Sequence, residues 1–209
     1  MSPIIRAKYL SLSSSLSTKS DLAVLLYYHV QSICFGATRI DSVFDHYFEK
    51  SLKEDMRLSR GIGSRVIFNA NSPIPLKMDD FLMYSQNKND FNEFLAKESI
   101  HLHHGEKLLV TNRDGIITNN PSELLDGSTS IAICQSEEAD QRLVRHTLHC
   151  LADHRYERVV ARTIDTDVLM IVIQFVSPVR IHPSTDVFVQ LVNSSLYYDL
   201  KKIIDSLGP

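Results

Sequence analysis

The sequence predicts an α/β fold with a mostly parallel central sheet flanked by helices in a three-layer, Rossmann-like arrangement, and an inserted α+β segment. Two observations carry this expectation. Leu143, Val144, Thr147, Leu148 and Leu151 recur at the 3,4 spacing of one buried helix face, and Arg158 to Thr163 follows as a β-branched strand. Further strand-like runs near 40–45, 130–134 and 186–192 are separated by helical stretches, the alternation that builds parallel sheets.

At 209 residues and 44% hydrophobic, the chain is long enough for one sizeable core, and a single domain over 1–209 is expected. The formal net charge of −3 places any surface for polyanions in local patches. Cys34, Cys134 and Cys150 have no paired spacing, as for reduced thiols of an intracellular protein, nuclear or cytoplasmic. No apolar run has the length of a membrane span, so no membrane partner is expected.

Residues 1–20 are Ser-rich, carry Arg6, Lys8 and Lys19 and no acid, and read as a poorly defined beginning with a faint likeness to a targeting segment. Asp21 to Cys34 is a helix, apolar on nearly every side and therefore expected to be buried. Arg39 to Asp45 reads as a strand with Asp45 at its carboxyl end. The next helix carries Phe48, Leu52 and Met56 on one stripe. Lys50, Lys53, Arg57 and Arg60 form a cationic one, either a solvated face or a surface for phosphates.

Residues 61–130 read as an insert within the domain. Pro73 and Pro75 break the chain, Asp79 to Lys97 is helical, and Lys107–Asn112 with Gly115–Thr118 flank a turn as a β-hairpin. His101, His103 and His104 lack cysteine partners at zinc-finger spacing and are expected to be solvent-exposed. Thr129 to Cys134 is a further strand. His146, His149 and His154 fall largely on the polar side of the following helix. Val168–Phe175 is an apolar helix, Asp186–Val192 a strand, and Tyr197–Leu207 a last helix.

Two acidic clusters bracket the most organised stretch. Glu137-Glu138-Ala139-Asp140 opens a helix, and Asp165-Thr166-Asp167 follows a strand. Residues two apart in extended backbone point the same way, so Asp165 and Asp167 are able to aim at one point. The carboxyl edge of a parallel strand is where α/β proteins bind ligands. Converging carboxylates repel unless a cation lies between them, and oxygen-preferring Mg2+ or Mn2+ suits such a set. Acids in a first helical turn also serve the helix dipole, which is the plainer reading of Glu138 and Asp140.

In this order, the clusters resemble the PIN-like nucleases of the flap-endonuclease and XPG type, which carry E-A-E-A on a helix, then a strand, then T-x-D-x-D. Glu138 and Asp140 match the first pair, with Asp in the second place, and Asp165 and Asp167 match the second pair. Val43-Phe44-Asp45 followed by Lys53, Arg57 and Arg60 is similar to the family's strand end and basic segment, which would make Asp45 a further site carboxylate. Ile74-Pro75, Asp80-Phe81-Leu82, Asn87-Lys88 and the acidic helix start occur in the order found in uncharacterised animal PIN-like proteins associated with mobile elements.

The resemblance implies a Mg2+- or Mn2+-dependent nuclease for DNA or RNA, with Glu138, Asp140, Asp165 and Asp167 as metal ligands and Lys53, Arg57 and Arg60 on phosphates. The family's opening Asp and later Gly-x-Asp have no counterpart here, so a partial or degenerate site is expected. The alternative is a catalytically inactive PIN-like interaction module for nucleic acid or protein. Strand-then-D-x-D also occurs in haloacid-dehalogenase-type phosphatases and as a sugar-nucleotide motif in glycosyltransferases. In the former it opens the domain, and in the latter the acidic helix start goes unexplained.

Overall fold

The computed structural model describes residues 18–47, 65–67, 69, 71–105, 107–112, 115–120, 131, 139–152, 155–176, 181–192 and 196–207. The chain divides into two compact units, Met1–Glu137 and Glu138–Pro209. Both mix helices with a small mixed sheet.

In the first unit, helix α1 (Lys19–Ile33) starts at a capping box. Thr18 Oγ1 accepts the Asp21 N–H at 3.2 Å, and an Asp21 carboxylate oxygen accepts the Thr18 N–H at 2.8 Å. One face is buried through Lys19, Leu22, Ala23, Leu26 and Tyr27, while Tyr28 is exposed. A helix apolar on most sides is thus covered on one. Helices α2 (Met78–Met83) and α3 (Ser85–Leu102) meet at an extended Tyr84. Their Met78, Phe81, Phe91 and Leu95 pack with Leu22, Ala23 and Leu26, and Phe81 meets Phe91 edge to face at 6.2 Å.

Strand β1 (Arg39–Ser42) pairs in parallel with β2 (Lys107–Asn112), and β2 pairs antiparallel with β3 (Gly115–Thr118). The hairpin is the expected one, with Asn112 opposite Gly115. Its first strand is also the parallel partner of β1, so the stretch expected as an insert supplies the centre of this sheet. Ile40, Leu108 and Val110 cluster with Ala96 of α3. The strand expected to reach Asp45 ends at Ser42; beyond it, the Phe44 N–H turns to Thr111 Oγ1 at 2.8 Å and the Tyr47 N–H to Asn89 Oδ1 at 3.0 Å. Of the strand expected at Thr129–Cys134 only Ile131 is described, and it is helical and buried.

The second unit begins with helix α4 (Ala139–Ala152) and continues as strand β4 (Arg158–Thr163), helix α5 (Thr166–Phe175) and strand β5 (Asp186–Leu191). Strands β4 and β5 are parallel along six register pairs from Arg158 opposite Asp186 to Thr163 opposite Leu191, with α5 as the crossover. Val144, Leu151, Ala161, Val168, Val172, Val187, Val189 and Leu200 form the core. The expected last helix is shorter. Tyr197–Asp199 is strand β6, antiparallel to β5, and helix α6 spans Leu200–Leu207. Asp199 marks the change, because its side chain accepts the Lys202 N–H at 3.2 Å and caps α6. Among the described residues no helix is long and apolar enough to cross a membrane.

Candidate functional site

Asp165 and Asp167 stand just past the carboxyl end of β4, and both are exposed. Asp165 is the N-cap of α5: its Oδ1 accepts the Asp167 N–H at 2.9 Å, and its own N–H donates to Thr163 Oγ1 at 3.1 Å. The Thr163 carbonyl in turn accepts the Val192 N–H at 2.9 Å, which ties the turn to the end of β5. Capping therefore holds the two carboxylates of the D-T-D cluster within one helical turn. Only one oxygen of Asp165 is engaged, and the Asp167 carboxylate accepts no hydrogen bond among the described residues. Four hard oxygens, three of them open, suit an oxygen-preferring divalent cation.

Asp140 occupies the first turn of α4, half-buried, in the same unit. Glu138, its partner in the acidic helix start, lies outside the described residues, as do Lys53, Arg57 and Arg60. Asp45 belongs to the other unit, where its Oδ2 accepts the Tyr47 hydroxyl at 2.8 Å and its backbone carbonyl accepts Asn92 Nδ2 at 3.0 Å. Among the described residues no group of three or more His, Cys, Asp or Glu is placed to hold a metal ion.

Two histidines depart from the sequence expectation. His146 is buried, on the core side of α4 with Val144 and Thr147. His103, expected in solvent between His101 and His104, is also buried, while its two neighbours are exposed. Its Nδ1 lies 3.1 Å from the Tyr27 hydroxyl and 3.2 Å from Gln31 Nε2. Both groups therefore meet the imidazole at Nδ1. Burial, then His104, holds the imidazole below the ordinary histidine value. Burial likewise raises the Tyr27 phenol, with Tyr28 adding to the effect. Tyr27 and Gln31 are four apart on α1, a spacing that puts both on one helix face. That spacing is the only trace of this contact in the sequence.

His103 also borders a cavity of about 370 Å³ at the carboxyl end of α1, with Tyr28, Gln31, Cys34, Phe35 and Ile40 among its lining. Gly36, at φ +78°, turns the chain there from helix to strand. Compared with known proteins, the chain matches no family model, no curated protein and no solved structure.

Proposed function

We propose that this chain is a PIN-like, divalent-metal-dependent nuclease domain acting on DNA or RNA phosphodiesters. The observation that carries the reading is the place of Asp165 and Asp167. They are two exposed carboxylates in one turn at the carboxyl end of a parallel strand, inside a β–α–β unit whose preceding helix opens with Asp140. It is the order and setting in which the resembling nucleases carry their acids, and parallel sheets bind ligands at that edge.

In this reading Asp165 and Asp167 hold one Mg2+ or Mn2+, and Glu138 and Asp140 hold or bridge to a second. Such ions activate water and stabilise the leaving oxygen of a phosphodiester. The residues' own task is to supply oxygen ligands in a fixed arrangement. The Asp165 cap does this by tying one carboxylate to the backbone of the other. The resemblance assigns Lys53, Arg57 and Arg60 to substrate phosphates. A catalytically inactive PIN-like interaction module is the second reading.

The test incubates labelled flap, single-stranded and duplex DNA and RNA with Mg2+, Mn2+ or EDTA, beside the Asp165→Asn protein. EDTA-sensitive cleavage that the variant loses supports the nuclease. Binding without cleavage in any metal leaves the interaction module.

A further inference from the structure

The sheet of the second unit has a second face that its core does not use. Register places Arg158, Val160 and Arg162 of β4 beside Asp186, Phe188 and Gln190 of β5, with Asp199 and Tyr197 of β6 completing two of the three rows. The core residues Ala161, Val187 and Val189 lie on the alternate positions and hence on the opposite face. On the unused face the Arg158 guanidinium sits over the Phe188 ring at 5.7 Å, and Phe188 meets Tyr197 edge to face at 6.4 Å. Tyr197 is 57% exposed and Val160 41%, and the Arg158 side chain is 69% exposed. The ion pair of Arg158 with Asp186 is loose, at 3.8 Å, and commits little of the guanidinium.

Uncovered aromatic and aliphatic surface on a sheet, laced with arginine, matches a particular ligand chemistry. Bases stack on exposed rings and on guanidinium planes, and phosphates pair with arginine. Successive rows on the face are about 6.7 Å apart, a step comparable to one extended nucleotide. The row of Arg162, Gln190 and Tyr197 is the last before the β4 terminus. Asp165 follows Arg162 by three residues, about 10 Å of extended chain. In that row Arg162 Nε and Gln190 Oε1 are enclosed without a hydrogen-bond partner, an unused donor beside an unused acceptor.

We propose that this face is a stacking platform for single-stranded nucleic acid, with Tyr197, Phe188 and Arg158 taking successive nucleotides and directing the strand toward Asp165 and Asp167. This rests on the nuclease reading above and names its substrate as a single strand.

The experiment measures fluorescence anisotropy of labelled oligothymidylate and oligouridylate 12-mers with the full chain in EDTA, across a salt series. Tyr197→Ala is expected to weaken binding about tenfold, the scale of one lost base–aromatic stack, and Tyr197→Phe to retain it. Arg158→Gln, at an exposed side chain that folding tolerates, is expected to lower the salt slope by about 0.7. The two oligomers separate DNA from RNA, and a preference for either supports the platform. Affinities of Tyr197→Ala and Arg158→Gln within twofold of the parent would overturn it. If the parent protein still cleaves with Mn2+ in that case, the nuclease reading stands without the platform. Absence of binding by the parent protein overturns the platform, and cleavage in Mn2+ then decides the nuclease reading separately.

Discussion

Asp165 Oδ1 accepts the backbone N–H of Asp167 at 2.9 Å, so one of the two proposed metal ligands also starts the helix that carries the other. The two duties can be separated by substitution. Asparagine caps a helix as well as aspartate but lacks the charge, whereas alanine does neither. Asp165→Asn is expected to keep the stability of the metal-free protein, and Asp165→Ala to lose about 1 kcal/mol. If the proposed site holds the ion, Mg2+ or Mn2+ should raise the melting temperature of the parent protein by mass action, and both variants should lose that rise. A metal-induced shift that survives in Asp165→Asn would remove this residue from the site.

Gly105 lies against the His103 ring. A Cβ there would stand 3.0 Å from Cε1 and 3.1 Å from Nε2. The ring is anchored on its other side by Tyr27 and Gln31, so it yields only by loosening those contacts. Gly105→Ala is expected to cost roughly 1–3 kcal/mol, read as a lower urea midpoint. An unchanged midpoint would mean the ring is free to shift.

His103 makes stability depend on pH. Its folded value lies below the ordinary one through burial and the neighbouring His104. Above about pH 6.5 the folded and unfolded imidazoles are both neutral, and the residue adds no pH dependence. As pH falls below that, the unfolded chain takes the proton first, so stability drops until pH passes the folded value. Melting temperature should therefore decline as pH falls below about 6.5, and His103→Gln should flatten that decline. An identical slope in the variant would assign it to other groups.

Helix α5 is apolar almost throughout, yet its burial is one-sided: Val168 and Val172 are enclosed and Met170 is 64% exposed. Met170→Ala is expected to change stability by no more than about 0.5 kcal/mol. Leu200→Ala, at a fully enclosed side chain of the same core, should cost roughly 2–5 kcal/mol. Chemical denaturation of the two variants checks the contrast.

Local physics makes much of this molecule legible in its sequence alone. The 3,4 spacing of Val144, Thr147 and Leu151 marks the buried face of α4, and β-branching marks β4. The Asn112–Gly115 pairing belongs to a hairpin whose signals lie within a few residues of one another. The acids Asp165 and Asp167 can be placed at a strand end because strand, cap and helix are contiguous.

What only the tertiary structure decided involves partners far apart in sequence. The parallel pairing of β1 with β2 joins residues 39–42 to 107–110 and turns an apparent insert into the middle of a sheet. The strands fall into two three-stranded mixed sheets: β3 is the antiparallel edge that the hairpin leads one to expect, whereas β6 adds one that periodicity does not announce. Tyr197–Asp199 has the apolar spacing of a helix start, but β5 offers an open edge and Asp199 is the better cap. His103 is buried because Tyr27 and Gln31, more than seventy residues earlier, converge on its Nδ1. Such contacts depend on where distant elements pack, and spacing and propensity along the chain contain no term for that.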